Sequence, residues 1–250
     1  MANWSDPQFG ATPNSTTATG VAVDAGLRAH MLRVYNYMTS AILLTGIVAV
    51  LVGNTTLVNS LISFDMNGHY GPSALGWIVT FAPLGVVLWM SFGINRISQG
   101  TAQFLFWTFA VLMGASLSTI FLVYTNGSIA LTFFATAAAF ASLSLYGYTT
   151  KRDLSAMGTF LLMGLVGIIV ASVVNIFWMN DTFSLVIAAL GVLIFAGLTA
   201  YDTQKVKSLY FQVAGSDMIG KAAIMGALTL YLDFINMFLF LLRFLGNSRN

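Results

Sequence analysis

Apolar residues in this chain run in long unbroken stretches, and the polar residues are confined to short gaps between them. Sliding a window of about 19 residues along the chain finds seven such stretches: Val34–Gly53, Ala74–Ile94, Ala102–Tyr124, Ser128–Tyr148, Met157–Trp178, Phe183–Tyr201 and Ala222–Leu245. Each is about 20 residues long, enough for a helix rising 1.5 Å per residue to cross roughly 30 Å of hydrocarbon. A helix is required because backbone N–H and C=O groups in lipid must be satisfied within the segment. Barrel strands are shorter and alternate, and these runs do not. The pattern therefore predicts an all-α, polytopic membrane protein: a bundle of seven transmembrane helices over residues 28–250. Residues 1–27 are rich in Ser, Thr, Ala, Gly and Asn and show no period, so they read as a mobile cytoplasmic tail. The opening MANWSDPQ has neither a positive n-region nor an apolar core, which argues against a cleaved signal peptide.

Composition sharpens this picture. Hydrophobic residues make up 58% of the chain and charged residues only 7%, with a mean hydropathy of +0.84. Soluble domains carry about 25% charged residues, so lipid is the solvent this surface suits. There is no cysteine, every acidic residue is an aspartate, and the histidines are His30 and His69. That removes disulfides, thiolate chemistry and most metal and hydrolase constellations. A net charge of +2 gives no reason to expect nucleic acid. No cofactor is expected.

The charges are distributed asymmetrically. With the N-terminus inside, Arg28, Arg33, Arg96, Lys151, Arg152, Lys205, Lys207 and Lys221 all fall on the cytoplasmic side, and the loops 54–73, 125–127 and 179–182 contain no Lys or Arg. This is the positive-inside pattern. Arg243 and Arg249 lie outside if the last run crosses fully, which its length favours; the alternative is a re-entrant last helix. Pro83, near the centre of the second run, should kink that helix and free the carbonyl of Val79. Small residues four apart, at Ala196/Ala200, Ala222/Gly226 and Ala223/Ala227, would let helices approach closely.

Chemistry concentrates in the last two runs. Asp233 falls near the middle of the seventh, where a charge costs about 2.5–3.5 kcal/mol on insertion scales. It must face protein or water. Gly226, Thr229, Asp233, Asn236, Phe240 and Arg243 recur at helical spacing and form one stripe, opposite Leu228, Ile235 and Leu242. The stripe should face the bundle interior, with Thr229 and Asn236 beside Asp233 as candidate pore-lining residues. Asp233 is then either a carboxyl that ties helices together or part of an ion or proton pathway. Asp202, in TAYDTQKVK, ends the sixth run. It reads either as a helix-end carboxylate paired with Lys205 or Lys207, or as a partner for Asp233. Two carboxylates in one poorly solvated place favour sharing a proton. Arg96, in GINRISQ, either anchors the second helix or neutralises such a pair.

An enzymatic reading finds little support. Tyr201-Asp202 matches half of an intramembrane aspartyl protease signature, but the second half needs glycines where Leu230 and Leu232 stand. A serine-type intramembrane protease needs a histidine within a run, and neither His30 nor His69 lies in one. The expectation is that the protein is not an enzyme.

FAGLTAYDTQKVK followed by IMGALTLYLDFINMFLFLLRFLGN resembles the signature of the Bax-inhibitor-motif family, and LRVYNYMTSAILLTGIVA, INRISQGTAQFLFW, MGASLSTIFLVYT, SLYGYTTKRDLS and MGLVGIIVASVVNIF are similar to its bacterial branch. The resemblance covers nearly all of residues 28–247. It implies a seven-helix bundle with the last helix central, in an inner (plasma) membrane. It further implies a pH-sensitive calcium leak channel gated by a di-aspartyl pair, which falls on Asp202 and Asp233, with an arginine latch that falls on Arg96. Calcium is then the permeant or bound ion, with Asp202 and Asp233 as its candidate ligands. The alternative function that the resemblance suggests is interaction with a membrane-anchored ATP-dependent protease. The segment Ser208–Gly220 reads as a lengthened cytoplasmic loop, which leaves the relative depth of the two aspartates open.

Overall fold

The structure, a computed structural model, describes residues 15–64 and 70–249. Its elements in chain order are α1 (Ser15–Gly53), α2 (Leu57–Ser60), β1 (Ile62–Phe64), β2 (Tyr70–Pro72), α3 (Ala74–Gly93), α4 (Gln99–Leu117), α5 (Ile120–Val123), α6 (Asn126–Thr149), α7 (Ser155–Trp178), α8 (Asp181–Val213) and α9 (Ile219–Leu245). Among the described residues seven spans are long and apolar enough to cross a membrane: α1, α3, α4 continued by α5, α6, α7, α8 and α9. They match the seven apolar runs one for one. Side-chain caps start several of them. Ser73, Ser98, Thr125 and Asn180 accept from the backbone N–H of Gly76, Thr101, Ser128 and Phe183, satisfying donors that a helix start leaves free.

The helix α9 is the axis of the bundle. Its apolar window is 61% buried, against 11% for α7 and 17% for α3, and it packs against α1, α4, α6 and α8. Small residues make this possible. Ala223 and Ala227 are wholly buried, and a Cβ added at Gly226 would sit 2.9 Å from Val206 of α8. Gly147 of α6 lies so close to the backbone of Ala200 on α8 that no side chain fits there. The hydroxyls of Thr45 and Tyr231 share a hydrogen bond of 2.8 Å, and Thr45 also donates to the Ala110 carbonyl at 2.9 Å, tying α1, α4 and α9 together. Pro83 lies buried within α3 without interrupting it.

Two helices are longer than their apolar runs. The helix α1 begins at Ser15, so the boundary placed at residue 28 falls inside it; residues 1–14 lie outside the described part. The helix α8 continues eleven residues past Asp202 to Val213, where the sequence pattern suggested a loop. Its extension packs on α1: Tyr210 is buried, its hydroxyl lies against Gly26, and its ring stands 5.5 Å from that of His30. A polar but helix-compatible segment stays helical where another helix covers it. It stops at Val213, and in the turn that follows Gly215 adopts a left-handed φ of 76° that favours glycine. His30, expected outside a span, lies buried within α1, and neither ring nitrogen has a hydrogen-bond partner among the described residues. It is therefore not paired with a serine. His69 lies outside the described residues. The segment after α1 holds α2 and the antiparallel pair β1–β2.

The last helix crosses the whole bundle. At its start Lys221 Nζ donates to the Ile94 carbonyl at 3.2 Å, beside Arg96. After its end, Thr125 N–H donates to the Asn247 carbonyl at 3.1 Å, and Arg249 N–H to the Val123 carbonyl at 2.8 Å, both at the opposite end. A re-entrant helix cannot make both sets of contacts. The two arginines that break the charge asymmetry are used at that far end. Arg243 donates to the Ser184 hydroxyl at 2.7 Å and Arg249 to the Phe121 carbonyl at 2.7 Å.

Candidate functional site

The extension of α8 settles the depth of the two aspartates. From Asp202 to the end of α8 is about 16 Å, and from the start of α9 to Asp233 about 21 Å, at 1.5 Å per residue. The helix α8 ends, and α9 begins, at the same short turn at residues 214–218, so the two side chains come within about a helical turn of the same level. Their carboxyl groups lie within hydrogen-bonding reach of each other. Asp202 is 9% exposed and Asp233 4% exposed. No N–H or O–H donor among the described residues reaches Asp233 Oδ2.

That geometry has a chemical consequence. An ionised carboxylate only accepts hydrogen bonds, so two of them can be joined only if one carries a proton. With neither protonated, two like charges face each other in a site poor in water. A cation whose charge acts on both is Lys205, about one turn along α8 from Asp202; it is exposed and lies 6.0 Å from the ring of Tyr201. Arg96 is not part of the arrangement. It sits exposed in the turn after α3, and α3 packs against α4 and β2. Asp153, in the loop between α6 and α7, shows the contrasting case. Hydrogen bonds from the Ser155 hydroxyl and backbone N–H hold its exposed carboxyl below the usual carboxylate range.

The aspartates line a cavity of about 540 Å³ in the crevice between α7, α8 and α9. Thr229 and Asn236 line it too. Thr229 donates to the Met225 carbonyl at 3.1 Å and the Asn236 amide to the Leu232 carbonyl at 2.8 Å, which leaves Thr229 Oγ1 lone pairs and Asn236 Oδ1 as acceptors. Ser172 of α7 adds one more oxygen; a single serine in an apolar run is a signal too weak to single out. Towards the far end the cavity is bounded by Phe240, which stacks on Phe195 with centroids 5.8 Å apart and packs against Gly191.

The stripe on α9 corrects the expectation that it faces the bundle interior: it is the less buried side of the helix, with Thr229, Asn236 and Phe240 half-buried and Arg243 exposed, and only Gly226 and Asp233 are buried. Leu228, Ile235 and Leu242, on the apolar side, are as deeply buried as Asp233. A central helix has no lipid face, so its apolar side packs on neighbouring helices while its polar side meets the crevice. The oxygen donors suit a hard cation such as calcium. Among the described residues no group of three or more His, Cys, Asp or Glu side chains comes together, so the site offers two carboxylates with neutral oxygens around them.

A family model described as inhibitor of apoptosis-promoting Bax1 matches residues 27–250. The chain belongs to this family. Among similar proteins, an uncharacterized protein of Rickettsia prowazekii is 47% identical over 94% of this chain and 97% of its own. The inner membrane protein YbhL of Escherichia coli is 45% identical over 90% of this chain and 94% of its own, and an uncharacterized protein of Caulobacter vibrioides is 45% identical over 92% of each. For this Bax-inhibitor family member the match starts within α1, at Leu27, and takes in every later element.

Proposed function

We propose that this multi-pass membrane protein is a pH-sensitive leak pathway for cations, calcium foremost, in the bacterial inner membrane, and that Asp202 and Asp233 form its gate. The observation that carries this reading is the buried approach of the two carboxyls in a cavity that also offers Thr229 and Asn236. Membrane-embedded carboxylates that face a cavity usually serve ion or proton movement. While the pair shares one proton, α8 and α9 are held together at the middle of the bundle. Loss of that proton leaves two like charges that push the helices apart and attract a cation; full protonation removes the charge that attracts it. Both effects titrate on the same pair, so flux depends on pH through it. The positive-inside rule puts the Lys- and Arg-rich end, with the start of α1, in the cytoplasm. Two neighbouring carboxyls also occur in aspartyl proteases, but Leu230 and Leu232 crowd the position where such an enzyme needs a bare backbone, which favours a non-enzymatic role.

The test is calcium entry into proteoliposomes carrying a trapped indicator, measured across an acid-to-neutral pH series. Wild-type protein should show a pH-dependent flux, and Asp202→Asn and Asp233→Asn should each flatten it. A profile unchanged by both substitutions would reduce Asp233 to a structural carboxyl.

A further inference from the structure

A larger cavity, of about 960 Å³, lies away from the aspartates between α1 and α6, with Phe234 of α9 also lining it. It is a slot. Its walls run from Arg28 to Leu43 on α1 and from Phe133 to Tyr148 on α6, each about 22 Å at 1.5 Å per residue. The helices are antiparallel, so Arg28 and Tyr148 share one end, the end rich in Lys and Arg. The slot therefore spans the leaflet at that end, whose half-thickness is about 15 Å, and runs somewhat beyond the midplane.

Its lining decides what fits. The hydroxyls near the mouth are used among themselves. Tyr35 bonds Ser144 at 2.7 Å, Ser144 bonds Thr203 at 2.9 Å, and Thr203 donates to the Thr199 carbonyl at 2.7 Å. What remains for an occupant is chiefly apolar. The mouth is basic. Arg28 lines it and is exposed. Lys207 stands 5.1 Å from the ring of Tyr148 and donates to its carbonyl at 2.7 Å, and Lys151 and Arg152 are exposed in the loop that follows. The acidic groups nearby in sequence are Asp24 and Asp153, so cations are in excess. We infer that the slot holds one acyl chain of an anionic phospholipid from the leaflet at the basic end, with its phosphate between Arg28 and Lys207. This inference stands apart from the channel reading.

The test uses the full chain, delipidated in detergent and titrated with dioleoyl phosphatidylglycerol or dioleoyl phosphatidylcholine, with retained lipid counted by native mass spectrometry. One phosphatidylglycerol per chain should persist at concentrations where phosphatidylcholine leaves. Arg28→Gln and Lys207→Gln should each weaken that retention about fivefold, on the scale by which a basic residue near a membrane attracts acidic lipid, without changing phosphatidylcholine. Ala137→Trp fills the slot and should abolish retention of the bound lipid. Thr39→Phe narrows the slot from α1 and serves in its place if gel filtration shows the tryptophan variant misfolded. Inorganic phosphate should not displace the lipid. Equal retention of the two lipids, retention unaffected by both slot-filling variants, or displacement by phosphate alone would each overturn the proposal.

Discussion

Among the described residues Asp233 Oδ2 finds no donor, and the Asp202 carboxyl lies within reach of Asp233, which makes the two aspartates one unit. Substituting either should remove most of the pH response of calcium flux, and the double variant Asp202→Asn/Asp233→Asn should add little. Contacting groups that share a proton are not additive; additive losses in a double-mutant cycle would separate them. A nearby cation provides a second check. Lys205 acts on both carboxyls, whereas Arg96 sits exposed in the turn after α3. Lys205→Gln should therefore displace the pH profile, and Arg96→Gln should leave it in place. The opposite result would give Arg96 the latch role that the family resemblance implies.

Helices pack here through small residues and a few buried hydroxyls, because lipid supplies no hydrophobic drive to bring spans together. The contact of Gly147 with the Ala200 backbone leaves no room for a side chain. Gly147→Val should force α6 from α8 and lower stability by about 1–3 kcal/mol, the usual cost of overpacking, read as a fall in thermal midpoint in detergent. Thr45→Val removes the partner of the Tyr231 hydroxyl and should cost about 0.6–2 kcal/mol, the measured range for such bonds between membrane helices. A thermal midpoint unchanged in both variants would mean that these contacts do not hold the helices.

Across the membrane, the positions of α8 and α9 imply opposite locations for the turn between them and for the chain end. Reporters inserted at Ser216 and fused at the C-terminus should therefore report opposite sides, with Ser216 in the cytoplasm. The same side for both would make α9 re-entrant. Arg243 and Arg249 explain why the charge rule fails at the far end. Each is bonded to a loop or helix start there, so it contributes to holding the chain end and need not mark the cytoplasmic face.

Much of this was legible in one dimension. Seven apolar runs, their connecting charges and the stripe through Asp233 follow from length, solvent and helical period, which are local quantities. So does the prohibition on an unpaired charge at the bilayer centre, which singles out Asp233 from the sequence alone. The pairing of Asp202 with Asp233 was not fixed that way. It required α8 to run on to Val213, and that depends on α1 covering Tyr210, a contact made by residues almost two hundred positions apart. Nor could spacing tell that Arg96 stays outside the site, or that the apolar side of α9 is buried more deeply than its polar side. Those facts depend on which helices surround which, and helical period carries no information about neighbours. Tertiary packing decided them, because depth and company in a bundle are set by where small residues let backbones meet.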